Sequence, residues 1–298
     1  MMRIRIIGAP MDLGADRRGV DIGPSAIRYA NLSEHLQRLG HTVRDQGNIM
    51  IPQPESHPVG NPHLKYLEPI VKAAEELSQI VSETLQAGEF PLILGGDHSI
   101  ALGSISGVAR QHRDVGVIWV DAHGDFNTED TTPSGNIHGM VLAALTGLGN
   151  QQLTHIDGWG PKLNKDTIVI VGVRDLDAGE QELLRTHKIH VFTMSEIDEF
   201  GISEIMRRAV AIASQHNNPI HLSLDMDALD PGEAPGVGTA VRGGLSYREA
   251  HLAMELIAAS QRLISMDVVE VNAILDRENA TARLAVELIL SALGKRIL

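Results

Sequence analysis

Val117-Ile118-Trp119-Val120-Asp121-Ala122-His123-Gly124-Asp125-Phe126-Asn127-Thr128 is an apolar, β-branched run that stops abruptly in Asp121, His123 and Asp125, at positions i, i+2 and i+4. A run this continuously apolar predicts a strand covered by helices on both faces, as in a parallel sheet. Alternate side chains of an extended strand share a face, so the three polar groups are expected to enter one space as the strand leaves the sheet. Two carboxylates and an imidazole crowded together would repel one another or be buried unpaired, and a divalent cation removes both costs. For any one of these residues alone, a polar strand end followed by a turn is the plainer alternative.

Short β-branched runs recur on either side, several of them continuously apolar. Strands are predicted at Arg3–Gly8, Thr42–Gln46, Pro91–Leu94, Gly116–Asp121, Thr167–Gly172, His190–Thr193, Ile220–Asp225 and Ile264–Val271. Amphipathic, helix-length segments separate them: Pro24–Leu39, Leu67–Gln86, Ser99–His112, Glu180–Thr186, Ile202–Gln215, Tyr247–Ala259 and Ala280–Leu293. Pro24 suits a helix start, and Gly40 and Gly88 suit helix ends. Strand and helix alternate with no linker, repeat or low-complexity break. The expectation is an α/β fold: a single domain, residues 1–298, in three α-β-α layers around a mostly parallel eight-stranded sheet. Ile51 to Pro62 and Gly147 to Lys165 read as surface loops, with His57 and His63 solvated.

Composition narrows the chemistry. Hydrophobic residues make up 43% of the 298 and aromatics only 3%, so the core must be aliphatic and rich in Ala and Gly. The net charge of −13 argues against a nucleic-acid surface and suits a cationic ligand. The absence of cysteine excludes disulfides, zinc–thiolate sites and thiol catalysis. No apolar run spans a bilayer and the amino terminus enters a strand directly, so the expectation is a cytoplasmic protein with no membrane partner.

In a parallel sheet, ligands gather at the carboxyl ends of strands. One strand is followed by Gly95-Gly96-Asp97-His98-Ser99, where Asp97 or Ser99 could simply cap the next helix. Another ends in Asp225-Met226-Asp227-Ala228-Leu229-Asp230-Pro231, with Asp225 and Asp227 again two apart and Asp230 placed to begin a turn. Two imidazoles and four carboxylates exceed what one cation needs and suit two that share bridging carboxylates. Ligands of nitrogen and oxygen alone favour ions such as Mn²⁺, with Co²⁺, Ni²⁺ or Zn²⁺ as substitutes. Two close metals imply a bridging hydroxide, nucleophilic near neutral pH.

Gly-Gly-Asp-His at 95–98, Asp-Ala-His-Gly-Asp at 121–125 and Ser-Leu-Asp-Met-Asp at 223–227 resemble the three metal motifs of the ureohydrolase family. The likeness runs from Gly8-Ala9-Pro10-Met11 to Val269-Glu270-Val271-Asn272. It implies a three-layer α/β fold, two manganese ions per subunit and hydrolysis of a guanidinium group to urea and an amine. His98, Asp121, His123, Asp125, Asp225 and Asp227 would be the ligands. Asn127 through Gly139 is similar to the arginase version of its loop, which implies that Asn127 and Ser134 bind an α-carboxylate, assisted by Thr132. His138 falls on the proton-shuttle position, a role that an imidazole titrating near neutrality can fill. Val171 to Glu180 resembles the segment that receives the α-ammonium, which would place Asp177 in direct contact and Glu180 behind a water; Glu180 could equally be an acid at a helix N-terminus. Glu270 matches the guanidinium-binding carboxylate, and a buried carboxylate suits that partner. Thr239 matches a further hydroxyl of the site, and Asp125 would help stabilise the tetrahedral species.

The resemblance thus implies an enzyme that hydrolyses L-arginine to L-ornithine and urea. An agmatinase with the same metals, a regulatory arginine-binding homologue without turnover, and a dinuclear metallophosphatase are the competitors. No basic residue follows the strand ends to receive a phosphate. Where the family shows proline in three turns, this chain has Val141, Ala240 and Ala273, changes that loosen turns and remove no reactive group. A homo-oligomer, trimer or hexamer, is implied, with Arg248-Glu249 matching an intersubunit pair.

Overall fold

A computed structural model describes residues 1–296. The eight predicted strands all form, with ends displaced by a residue or two: β1 (Arg3–Ala9), β2 (Thr42–Asn48), β5 (Phe90–Gly95), β6 (Gly116–Val120), β7 (Ile168–Val173), β8 (His190–Thr193), β9 (Ile220–Asp225) and β10 (Leu263–Val269). They build one sheet in the order β2-β1-β5-β10-β9-β6-β7-β8, and every pairing in it is parallel. The two last strands in sequence therefore slot between β5 and β6. That insertion puts the ends of β5, β10, β9, β6 and β7 side by side.

Helices cover both faces, because the inner strands offer apolar side chains to both, while the edge strand β2 is largely exposed. Ile118, Leu222 and Met266 pack with α1 (Gly23–Tyr29), α2 (Leu32–Arg38), α8 (Met194–Phe200), α9 (Ile202–Ala213), α10 (Tyr247–Ser260) and α11 (Ala280–Ala292). Val117, Trp119 and Ile93 pack with α3 (Leu67–Gln86), α4 (Ala101–Gln111), α5 (Val141–Leu145), α6 (Gln151–Thr154) and α7 (Ala178–His187). The result is three layers with an aliphatic core on each side of the sheet. Gly40 and Gly88 end α2 and α3 with φ of 92° and 66°, a conformation that glycine adopts without strain. No helix of the described residues is long and apolar enough to cross a membrane.

Three expectations change in detail. The helix predicted at 24–39 breaks into α1 and α2, because Asn31 turns left-handed at φ 60°. The loop at 51–62 folds into a short antiparallel hairpin, β3 (Gly60–Asn61) and β4 (Leu64–Lys65). It lies against Gly135, where an added Cβ would sit 1.8 Å from the Pro62 carbonyl oxygen. The 147–165 stretch is not wholly irregular, since it contains α6. His57 and His63 are exposed, as expected.

Candidate active site and metal centre

β5 delivers His98, β6 delivers Asp121, His123 and Asp125, β9 delivers Asp225 and Asp227, and β10 delivers Glu270. The shared direction of the β6 residues does not come from continued strand. β6 ends at Val120, and Asp125 is turned back with φ 49°. Glu270 is likewise left-handed at φ 63°. Of the eleven non-glycine residues with positive φ among the described residues, these two lie at the site.

The imidazole of His98 sets the geometry. Its Nδ1 lies 3.2 Å from Asp121 Oδ2 and 3.1 Å from both Asp125 Oδ2 and Asp225 Oδ2. Its Nε2 donates to Ser223 Oγ at 2.8 Å, because the Ser223 hydroxyl is itself committed to Asp267 Oδ1 at 2.5 Å. The ring stacks on Trp119 with centroids 3.9 Å apart, and the Trp119 indole N–H donates to Asp121 Oδ2 at 2.9 Å. His123 Nδ1 lies 3.1 Å from Asp227 Oδ2 and 3.3 Å from Asp121 Oδ1.

His98 Nδ1 is buried without a hydrogen-bond partner. A lone pair aimed at three carboxylate oxygens is repulsive unless a cation lies between them. Two groups of donor atoms fit such an ion: His98, Asp121 and Asp225, and Asp121, His123 and Asp227. Asp121 belongs to both. In the metal-free cluster the carboxylates cannot all ionise freely. Burial raises Asp125 to about 6, with Asp121 adding to the effect, and burial with Asp227 and Asp121 pushes Asp225 well up. Asp121 is held below the usual carboxylate range despite burial, first of all by the His123 imidazole beside it.

A cleft opens above this cluster, lined by Asn127, Thr132, Ser134, His138, Asp177 and Glu180 among others. Across residues 2–294 the chain matches the model of the arginase family. It is 53% identical to the arginase of Brevibacillus brevis over 98% of each chain. The solved arginases of Bacillus caldovelox and Bacillus cereus superpose on all of it with TM-scores of 0.97 and 0.95, at 50% and 49% identity.

The chain belongs to the arginase family.

In this member of the arginase family the cleft has two chemically different rims. On one, Thr132 Oγ1 accepts from the Gly135 N–H at 3.0 Å and Ser134 Oγ from the Asn136 N–H at 3.2 Å. With an acceptor site of each already used, both hydroxyls have a proton to offer an anion. On the other, Asp177 Oδ2 accepts from Asn127 Nδ2 at 3.2 Å. Glu180, at the start of α7, turns inward and accepts from the Phe126 N–H at 2.9 Å. Burial, with the nearby Asp125 and Asp177, raises its carboxyl to about 8. Thr239 Oγ1 donates to Asp227 Oδ2 at 2.7 Å, so its hydroxyl serves the cluster as well as the cleft. Glu270 Oε1 accepts from both the His98 backbone N–H and the His138 ring, each at 3.0 Å. Asp97 caps the turn after β5 through the Ser99 N–H at 2.9 Å, while His98 points into the cluster of carboxylates.

Of the family prolines that this chain lacks, one has a simple accommodation. Val141 is the first residue of α5, a position where proline is tolerated but not required. Glu249, of the Arg248-Glu249 pair, spends its carboxylate within the chain, accepting from the Ser246 N–H at 2.9 Å in the α10 capping box.

Four contributors were not read from the sequence. Asn136 lines the cleft, and its Oδ1 accepts from Lys65 Nζ at 3.0 Å while its side chain also hydrogen bonds to Asp16. Trp119 and Ser223 brace His98, yet each reads as an ordinary strand residue. Arg174 donates to the carbonyls of Asp227 at 2.7 Å and Val241 at 2.8 Å, and also to those of Gly172, Ala228 and Leu229, tying three loops of the site together. Arg174 directly follows β7, which corrects the expectation that no basic residue follows the strand ends; its guanidinium is spent on backbone carbonyls rather than offered to a phosphate.

Proposed function

We propose that this enzyme hydrolyses L-arginine to L-ornithine and urea, using two manganese ions. The observation that carries the reading is the polarity of the cleft. The hydroxyls of Thr132 and Ser134 stand on one rim, Asp177 and Glu180 stand on the other with the Asn127 amide against Asp177, and Glu270 and the His98–Asp cluster form the floor. An amino acid with a cationic side chain is complementary to that layout: carboxylate to Asn127, Ser134 and, in support, Thr132; ammonium to Asp177 and Glu180; guanidinium to Glu270. Neutral donors orient the carboxylate without an arginine that would repel the guanidinium end.

His98, Asp121, His123, Asp125, Asp225 and Asp227 would hold the ions. When bound, they lower the pKa of water so that a nucleophile is available near neutral pH. Glu270 orients the guanidinium carbon above the cluster through paired, charge-assisted hydrogen bonds. Asp125 and Thr239, beside the cluster, favour the tetrahedral arrangement over the planar one. His138 takes a proton and returns it at Nε2 to the departing amine, its Nδ1 steadied by Glu270. The same reading carries a cytoplasmic homo-oligomer, trimer or hexamer. The exposed apolar side chains Tyr29, Ile274 and Leu275 support a surface covered by another subunit.

The test is urea release after manganese loading, with L-arginine and agmatine compared at equal concentration. Turnover of arginine alone is expected. Preference for agmatine would overturn the assignment of the carboxylate rim. No urea from either, with manganese bound, would make the protein a binding homologue.

A further inference from the structure

The sheet face that packs on α4 is interrupted below the cluster. Along β9 and β10, register and alternation put His221, Ser223, Ser265 and Asp267 on this face, where Val117, Trp119 and Ile93 stand on neighbouring strands. All four are completely buried. Four adjacent polar side chains in an aliphatic core are costly unless every one is satisfied, and these are. Ser265 Oγ lies 2.8 Å from His221 Nδ1, and His221 Nε2 lies 3.1 Å from Asp267 Oδ2. Ser104, from α4, donates to the same Oδ2 at 2.5 Å. Ser223 donates to Oδ1 at 2.5 Å and receives His98 Nε2 at 2.8 Å.

The donors converge on one carboxylate. His221 and Ser104 occupy Oδ2, so Oδ1 is left to Ser223. The Ser223 hydroxyl proton must then point at Asp267, and its lone pair must receive the proton of His98 Nε2. In the neutral ring, the form that can bind a metal, that order of donors leaves the other nitrogen of His98, Nδ1, free of a proton and facing the carboxylates. We infer that Asp267, held by His221 and Ser104, is a positioning residue that sets the tautomer of His98 through Ser223 and thereby prepares one of the two metal positions. The inference rests on the metal reading proposed above. It is selective, because His98 belongs to only one of the two donor groups.

Asp267→Asn reverses the relay. His221 and Ser104 keep the amide oxygen at the Oδ2 position, so the amide N–H₂ takes the Oδ1 position and donates to Ser223 Oγ. The Ser223 hydroxyl then turns toward His98 Nε2, which must accept, and the ring proton moves to Nδ1, where it blocks a metal. The experiment is Mn²⁺ titration of the metal-free full chain, with free Mn²⁺ followed by electron paramagnetic resonance, for wild type, Asp267→Asn, Ser223→Ala and Ser223→Thr. Wild type is expected to bind two equivalents. Asp267→Asn and Ser223→Ala should weaken one equivalent about 10–100-fold and spare the other, as loss of an outer partner of a metal-bound histidine does elsewhere. Ser223→Thr, which keeps the hydroxyl, should restore it.

Wild-type binding by both weakened candidates would overturn the inference and leave the metal reading intact. Equal weakening of both equivalents would also overturn it, because loosened packing has no preference between them. A wild type that binds no Mn²⁺ would remove the metal reading and the inference together. Should Asp267→Asn fail to fold, the contrast between Ser223→Ala and Ser223→Thr decides alone.

Discussion

Glu270 Oε1 lies 3.0 Å from His138 Nδ1, joining residues 132 positions apart into one buried pair beside the metal cluster. Burial by itself would lower the pKa of His138. The hydrogen bond and charge of Glu270, together with Asp125 and Asp97, outweigh it and raise the imidazole to about 9.

This pair gives a pH signature to the metal-free protein. The folded chain holds a proton on His138 up to about pH 9, whereas the unfolded chain releases it near ~6.5. The stabilisation is complete below the lower value and disappears as pH rises through the higher one. Thermal melts of the metal-free wild type should fall more steeply across that window than those of His138→Asn. Identical slopes would mean that the pair does not titrate in this way.

Asp121 offers an oxygen to both donor groups, whereas Asp227 belongs to one. Asp121→Asn should therefore abolish binding of both manganese equivalents and reduce urea release by a factor of more than roughly 10³, as removal of an electrostatic stabiliser at the reacting centre does. Asp227→Asn should keep one equivalent. Metal content by plasma emission after gel filtration reads the difference, and equal loss in the two variants would contradict the shared role of Asp121.

Ser134 Oγ has accepted the Asn136 N–H and can still donate outward. A hydrogen bond to a charged group is worth about 1.5–3 kcal/mol. Ser134→Ala should raise KM for L-arginine by about tenfold or more, leave kcat near wild type, and leave any residual agmatine turnover unchanged, since agmatine has no carboxylate. A parallel rise for both substrates would place Ser134 elsewhere in the mechanism.

Arg174 ties the β7 end to the 227–229 and 241 segments through backbone carbonyls alone. Arg174→Met keeps the apolar stem and removes the side-chain donor from five carbonyls, of which that of Ala228 still accepts from the Leu245 N–H. A loss of about 2–4 kcal/mol in urea or guanidinium unfolding is expected. Arg174→Lys should recover only part of this, because a point charge cannot serve a planar fork's partners. Unchanged stability in both variants would show that water satisfies those carbonyls equally well.

The inner strands were legible in the sequence because each is apolar enough to be buried on both faces, whereas the edge strand β2 is largely exposed and polar; the three polar motifs were legible because they break the buried runs at their ends. Residues such as Ser223, Trp119 and Asn136 were not. A serine within a strand, an aromatic in a hydrophobic run and an asparagine in a turn each have a common local explanation. Their partners, Asp267, His98 and Lys65, come from elsewhere in the chain.

What the sequence determined by itself was local: which segments are strands, which residues end them, and so the chemical inventory of the site. The tertiary structure decided order and direction. β9 and β10 insert between β5 and β6, so Glu270 meets His98 across 172 residues. Asp125 reaches the cluster through a left-handed turn rather than along a strand. Hydrophobic periodicity states only that a segment is buried. Which strand lies beside which follows from the packing of all of them at once.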